Sequence, residues 1–260
     1  MRPAYPLAIA ILCAVLPLAT VQKTAAHDLV LIPAGPNTLT LKFGHPQEYE
    51  APNREKLIKL DLYLAGDEPP VSILSGVTKS TADYPTIDLR TFAGRGNAAI
   101  VSGEYDNGYF VSVSSDKYFN TSKLHFPAAK DSSYNFKFGK TLFPAASAGG
   151  FDRRLDEQLE IIPVIDPFKV RPGQQLPVEV LYQGKALAGI GVEVGDGKTK
   201  IKEEDIPRYK TNDAGIAQVP IAKPGLQIIA VDYQTSPRFP ALCDHDDYSA
   251  DLTFIVGDAR

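Results

Sequence analysis

The four histidines are the side chains of this sequence whose positions favour a chemical role. His27 lies in TAAHDLVLIP, directly after an apolar segment that ends in the small residues Thr24, Ala25 and Ala26. A cut after Ala26 would make His27 the first residue, and its α-amine and imidazole Nδ1 could then chelate one metal ion. The unperturbed pKa of an α-amine is about 7.7 to 8.0, so a metal deprotonates it easily. A second imidazole would complete a histidine brace; the alternative is a cut that happens to precede a histidine without a role.

The other three histidines lie in different surroundings. His45, in KFGHPQEYE, follows a predicted strand and can project toward the start of a neighbouring N-terminal strand; otherwise it is a solvated turn residue. His125 lies in SKLHFP; it either binds the metal or makes a hydrogen bond within the fold. His245, in LCDHDDY, is flanked by aspartates. Those carboxylates raise its basicity and can join it on a metal, or they belong to a solvated acidic loop.

Other signatures of enzyme chemistry are missing from the sequence. It contains no GxSxG, HExxH or CxxC motif and no phosphate-binding glycine loop, so we predict a binding or structural protein rather than an enzyme. Methionine occurs only as Met1, which argues against a Cu(I) chaperone with thioether ligands, and calcium prefers an all-oxygen shell. Cys243 is the single thiol left after a cut at Ala26, so we expect no intrachain disulfide and a buried, hydrophobic role.

Residues 1–26 have the pattern of an export signal. Arg2 precedes an apolar run from Leu7 to Ala19, and small residues close the segment at Ala26. We therefore predict an exported protein cut after Ala26, soluble because no other segment is apolar enough to cross a bilayer. The cut removes Arg2 and Lys23 but no acidic residue, so the formal net charge changes from -4 to -6. Nucleic acid is a poor partner for such a surface.

The elements that position these residues are predicted to be strands, because apolar and polar residues alternate with period two. In IKLDLYL (58–64), we expect Ile58, Leu60, Leu62 and Leu64 to lie on one face. Turn sequences such as NDAG and KPG separate the strands. The predicted strands are 38–43, 58–64, 98–102, 108–115, 157–165, 176–182, 189–195, 226–233 and 248–256.

Their spacing predicts an all-β chain of packed sheets. One exception is YNFKFGKTLF (134–143), where Tyr134, Phe138 and Leu142 are spaced for a helix face, and we expect a short helix there. The polar stretch 146–158 is predicted to connect two β-sandwich domains, residues 27–155 and residues 156–260. The second has the strand order of an immunoglobulin-like or transthyretin-like module.

Several segments together resemble the DUF4198 family of exported proteins. They are AHDLVLIP at the predicted mature start, GHP (44–46), GKTLF (139–143), LEIIPVIDPF (159–168), VLYQGKALAG (180–189), TNDAGIAQVPIAKPGLQIIAVDY (211–233) and the closing YSADLTF. The resemblance covers nearly the whole mature chain and implies two β-sandwich regions, a periplasmic location and a link to nickel or cobalt uptake. The family's histidines match His27 after the leader, His45 in GHP and His125 before the connector, with weaker support for His245.

These observations lead to one functional hypothesis with two rivals. The hypothesis is a periplasmic protein that holds nickel or cobalt first, and copper second, and supplies it to a membrane uptake transporter. His27, His45 and His125 would be its nitrogen ligands, and we include His245 among the candidate metal residues. The rivals are a structural or protein-interaction module without metal and a copper-dependent oxidative enzyme built on the histidine brace.

Overall fold

The computed structural model describes residues 27–46, 48–66, 68–77, 84–94, 96–114, 117–199, 201 and 205–257. Within these ranges almost every element is a strand, so the all-β prediction is confirmed. The predicted signal peptide, residues 1–26, lies outside the described part of the chain. In that part, no helix has both the length and the hydrophobicity needed to span a bilayer.

The described strands form three sheets. A small N-terminal sheet has the order β1-β2-β5, with β1 (Asp28–Gly35), β2 (Thr38–Gly44) and β5 (Thr86–Asp88). The large sheet contains β3 (Leu57–Leu64), β4 (Val71–Ser72), β6 (Ala98–Ser114), β7 (Lys117–Phe119), β8 (Asp131–Leu142), β12 (Gly191–Gly195), β13 (Arg208–Lys210), β15 (Gly225–Thr235) and β16 (His245–Val256). A C-terminal sheet contains β9 (Leu159–Pro163), β10 (Gln175–Tyr182), β11 (Lys185–Ala186) and β14 (Ile216–Pro220).

Helical turns are short and lie between strands. They are the α-helix α1 (Arg90–Ala93) and three 3₁₀ helices, Leu74–Gly76, Pro144–Ala148 and Pro167–Lys169. The helix expected at 134–143 is wrong, because this segment lies inside β8. There Tyr134, Phe136 and Phe138 follow one another along one face, with ring centroids 6.4 Å and 5.0 Å apart. Period two therefore prevails over the helical spacing, because β8 pairs along its length with both β6 and β16.

The alternation predicted for β3 fails at its start. Ile58 is 51% exposed, whereas Leu57, Leu60 and Leu62 are buried. The pairing of β3 with β6 is irregular between Leu57 and Lys59, and a bulge of this kind changes which residues face the core. The period-two pattern identifies this strand but does not predict which of its first residues face the core.

The large sheet is shared by the two halves of the chain. β8, from the first half, pairs in parallel with β16, the last strand, and brings Lys137 beside Ser249 and Gly139 beside Asp251. Alternation along β16 sends Thr253 toward β1, where its hydroxyl donates to the carbonyl of Leu31. The neighbouring Leu252 faces the other way and joins the core formed with the C-terminal sheet. The two smaller sheets therefore pack on opposite faces of the large one.

The end of the connector predicted at 146–158 is not solvated, because charged side chains are buried there. Glu157 and Glu160 are buried and lie 3.9 Å and 2.5 Å from the Nζ of Lys140 in β8. Burial raises the pKa of Glu157 to about 7, against the opposing charge of Lys140 and a hydrogen bond from Ser102. These contacts fix the end of the connector to the large sheet. The domain boundary near residue 155 stays a prediction.

The close packing of β1 on β8 can be tested at Gly139. A Cβ at this position would lie 2.6 Å from the carbonyl oxygen of Leu29, a distance that real Cβ atoms do not adopt. We expect Gly139→Ala to lower the free energy of unfolding by about 2 kcal/mol or more, because backbone must move to admit the methyl group. Urea unfolding measures the change. The matched control is Gly195→Ala in β12, where no atom lies within 4 Å of the added carbon; equal effects of the two substitutions would contradict this account.

Candidate functional site

Two of the predicted histidines lie side by side at the start of the N-terminal sheet. The register of β1 and β2 pairs Asp28 with Gly44, so the residues just beyond, His27 and His45, are opposite each other. Their ring centroids are 5.0 Å apart with an interplanar angle of 33°. The His27 ring also stacks on Phe43, 5.5 Å away, and Phe43 contacts Tyr105 of β6 at 4.7 Å. An aromatic stack therefore holds the pair against the large sheet.

The glycine before His45 is needed for this arrangement. Gly44 has a φ of +117°, which residues with a side chain rarely adopt. A Cβ there would lie 2.8 Å from the carbonyl oxygen of Glu48 and 3.2 Å from the His27 ring. The turn is closed by the Glu48 amide, which donates to the His45 carbonyl at 3.0 Å. The GHP sequence thus has a structural reason: its glycine lets the turn and the His27 ring approach closely.

The surroundings of His27 favour its neutral form. Partial burial lowers the pKa of its imidazole, and the charge of His45 lowers it further, against the opposing effects of Glu50 and Glu48. A metal ion binds the neutral imidazole, because a proton competes for the same nitrogen lone pair. His27 is therefore suited to act as a nitrogen ligand near neutral pH.

A row of buried polar side chains lies beneath this pair, on the face of the large sheet that β1 covers. Cross-strand pairing aligns Asp232, Ser249 and Lys137 in one row, and Asp251 lies in the next row beside Ala230. Lys137, Ser249 and Asp251 are 1%, 2% and 3% exposed. Sequence reasoning missed this cluster. Polar and apolar residues alternate through β16, and this alternation could have predicted that its polar side chains share one face of the strand, which is buried.

The same cluster carries strongly perturbed carboxylates. Burial raises the pKa of Asp28 to about 6, and the charge of Asp232 adds to the increase while Lys137 opposes it. Burial also raises the pKa of Asp251 well above its ordinary value, with further increases from Asp28 and Asp232. These shifts follow from the removal of several carboxylates from water around a single ammonium group.

A cavity of about 300 Å³ lies between the start of the N-terminal sheet and the face of β12, β15 and β16. Asp28 and Asp251 line it, and His45 lies at its edge beside the exposed Glu48, so one side reaches the surface. Most of the wall is apolar: Val30, Val194, Ile201, Ile206, Ile228 and Ala230. Tyr49, Glu193 and Thr199 also line it, and burial together with the charges of Asp251 and Asp28 raises the pKa of the Tyr49 hydroxyl.

The structure does not bring His125 or His245 to the His27–His45 pair. His125 is exposed in the turn after β7, where its Nδ1 lies 2.9 Å from the Thr121 hydroxyl. β7 pairs with β6 from Val111 onward, about six residues and roughly 20 Å along β6 from Tyr105. His245 begins β16, also about six residues from Asp251. Its ring nitrogens lie 3.4 Å from Asp131 and 3.2 Å from Asp247.

Cys243 is buried, as expected, at 1% exposure. Its Sγ lies 3.6 Å from Oδ1 of Asp246. Burial raises the pKa of the thiol to about 11, and the charge of Asp246 contributes in the same direction. A thiol in this setting is unreactive, so Cys243 has a packing role.

The donors present near His27 fit a brace more closely than a larger metal cage. Across the described ranges, no group of three or more His, Cys, Asp or Glu side chains is arranged to hold a metal ion. A brace needs only two imidazoles and the α-amine of its terminal histidine. Both imidazoles are present at the start of the N-terminal sheet, with ring centroids 5.0 Å apart. The residues present therefore fit this kind of site.

Comparisons with known proteins agree with the family resemblance. The family model described as "Domain of unknown function (DUF4198)" matches residues 24–235. A protein of Haemophilus influenzae, described as an uncharacterized protein, is 30% identical over 195 residues, which cover 74% of each chain. The match to the family model includes His27, His45 and His125 and ends before His245.

The ion pairs of His245 predict a pH-dependent contribution to stability. Burial lowers the pKa of His245, but the hydrogen bond to Asp247 and the charges of Asp247, Asp131 and Asp244 outweigh it and raise the pKa above 6.5. Its contribution is therefore complete below about pH 6.5 and is lost as the pH rises through the folded-state pKa. We expect His245→Gln to cost about 1.5 kcal/mol at acidic pH, as for a hydrogen bond to a charged group, and much less at alkaline pH.

Urea unfolding at about pH 5.5 and about pH 8.5 measures this difference. Asp247→Asn is the matched variant, because it removes the principal partner and should weaken the same pH dependence. An equal loss of stability at both pH values in His245→Gln would show that the ring acts only through packing.

Proposed function

We propose a function for this chain, which belongs to the DUF4198 family: it binds a divalent transition metal ion in the periplasm and supplies it to a membrane uptake system. The proposal requires export and a cut after Ala26, which give His27 a free α-amine. His27 would then offer two nitrogens, the amine and Nδ1, and His45 would offer one imidazole nitrogen. The protein would act as a carrier, not as an enzyme.

One observation supports the proposal above the others: the side-by-side placement of the His27 and His45 rings, with centroids 5.0 Å apart. The β1–β2 hairpin separates the two histidines in the sequence, and its register places them opposite each other. The hairpin is anchored by Phe43, which stacks on His27 and packs on Tyr105. A ligand pair held this way loses little conformational freedom when an ion binds.

The donor set also limits the metals that we expect. Imidazole and amine nitrogens suit Ni(II), Co(II) and Cu(II), and nickel or cobalt is our first expectation because of the family resemblance. The proposal gives His125 and His245 no ligand role, since each has partners of its own at another part of the large sheet. Copper bound at the same pair would raise the alternative of an oxidative enzyme.

The decisive test concerns the residue before His27. Protein made in the cytoplasm with a methionine before His27 has an amide where the processed protein has an amine, and an amide cannot close the chelate. We expect this form to bind Ni(II), Co(II) or Cu(II) at least about tenfold more weakly than exported protein cut after Ala26, a difference of about 1.4 kcal/mol. Isothermal titration of both forms measures it, and equal affinities would contradict the brace.

Two substitutions separate the predicted ligands in the processed protein. His45→Ala should reduce the affinity by a similar or larger factor, because it removes the second imidazole. His125→Ala is the matched control, since this exposed side chain contacts Thr121 outside the pair, and it should change the affinity by less than about twofold. Turnover of hydrogen peroxide by the copper-bound protein would favour the oxidative alternative over a carrier.

A further inference from the structure

The cavity beside His45 has features that the metal proposal does not use. Its volume of about 300 Å³ reaches the lower end of the range of small-molecule sites. Its walls are mostly aliphatic, and carboxylates from two different sheets meet in it: Asp28 of β1 and Asp251 of β16. A cavity built in this way matches a ligand with a polar group at one end and an apolar body.

The two carboxylates have unused hydrogen-bonding capacity. Oδ1 of Asp28 and Oδ2 of Asp251 are buried and make no hydrogen bond of regular geometry within the described part of the chain, although the Ser249 hydroxyl lies beside the Asp28 carboxyl. Asp251 as a whole is 3% exposed, so water reaches it poorly. Buried acceptors without donors are costly, commonly by about 1 to 3 kcal/mol each. Donors supplied by a bound molecule would remove this cost.

The charge balance favours a cationic ligand. Asp232, which pairs with Ser249 in the row next to Asp251, adds a third acidic group. Lys137 is the buried cation of the cluster, and its Nζ likewise makes no hydrogen bond to the described residues. One ammonium therefore faces three acidic side chains, and a second cation would reduce the imbalance.

A bare metal ion fits these surroundings less well than an organic ammonium. The described residues contain no group of three or more potential ligands arranged around one point, here as elsewhere. A metal ion would also leave the aliphatic wall around Val30, Ile228 and Ala230 without a partner. An ammonium group carries up to three N–H donors, and the carbon chain attached to it would cover that wall.

We propose that this cavity binds a small primary amine, with its ammonium group between Asp28 and Asp251 and its apolar body against Val30, Val194, Ile228 and Ala230. The site is distinct from the proposed metal chelate, which uses His27 and His45. The two sites are neighbours, because His45 lines the edge of the cavity and Asp28 follows His27 directly in the chain. The amine binds to the metal-free protein.

The test uses processed, chelator-treated protein and isothermal titration with butylamine, phenethylamine and putrescine. We expect binding of at least one amine at concentrations below about 10 mM. For the amine that binds, the alcohol with the same carbon skeleton should bind at least about tenfold more weakly, because it lacks the charge. Absence of binding by all three amines, or equal binding of the alcohol, overturns the proposal.

Substitutions locate the site. Asp251→Asn should weaken amine binding at least about tenfold, whereas Asp247→Asn, on the same strand and the same face but outside the cavity, should leave it within about twofold. Ala230→Leu fills the cavity without a change in charge and should also abolish binding. Circular dichroism confirms that each variant is folded. Retention of affinity in both Asp251→Asn and Ala230→Leu overturns the proposal, whatever the outcome of the metal titrations.

Discussion

The contact of β1 with the paired strands β8 and β16 is the constraint on which the rest of the structure depends. β8 comes from the first half of the chain and β16 is the last strand, so β1 covers a surface that neither half makes alone. The approach is close enough to require glycine at position 139, and Thr253 donates a hydrogen bond to the backbone of β1. Everything at the start of β1, including His27 and Asp28, takes its position from this contact.

This contact also explains why charged groups are buried. β1 has to pass over Lys137, Ser249 and Asp251, which project from the large sheet toward it. A fold selected for stability alone would place aliphatic residues there, because isolated buried carboxylates and ammonium groups are costly. On the opposite face of β8, three residues further along, the Lys140 ammonium has a direct partner in Glu160 at 2.5 Å. Asp28 and Asp251 of the first cluster also line the cavity, so this buried charge is next to a space that a ligand can enter.

Much of the fold could be predicted from the sequence, because period-two patterning is a local property. It identified the all-β class, and each predicted segment from 38–43 to 248–256 overlaps a strand, but 98–102 and 108–115 belong to the single strand β6, and β1 and β14 were not predicted. It failed in 134–143, where the apolar residues fit both the helical and the strand spacing. Pairing with β6 and β16 makes this segment a strand. It also failed at Ile58, because a bulge changes the phase without any change in composition.

The candidate site was predictable to a smaller extent. The GHP turn and a histidine at the start of β1 are local features, so the side-by-side placement of His27 and His45 follows from a single hairpin. Asp28, Lys137 and Asp251 come together from three distant segments, and no spacing in the sequence relates them. The parallel pairing of β8 with β16, which brings Lys137 beside Ser249, is the step that sequence patterns do not specify.

Asp28 connects the two sites physically. It follows His27 directly in the chain, and its carboxylate lies among the buried charges, so it is the one residue of β1 that touches the surroundings of both. Any movement of the first residues of β1 that brings His27 closer to His45 must also move the Asp28 carboxylate relative to Asp251. The stiffness of that strand is set further along, where Leu29 and Leu31 pack against Gly139. Both proposed sites therefore take their geometry from His27 and Asp28 at the start of β1, while the residues that follow are held against the large sheet at Gly139.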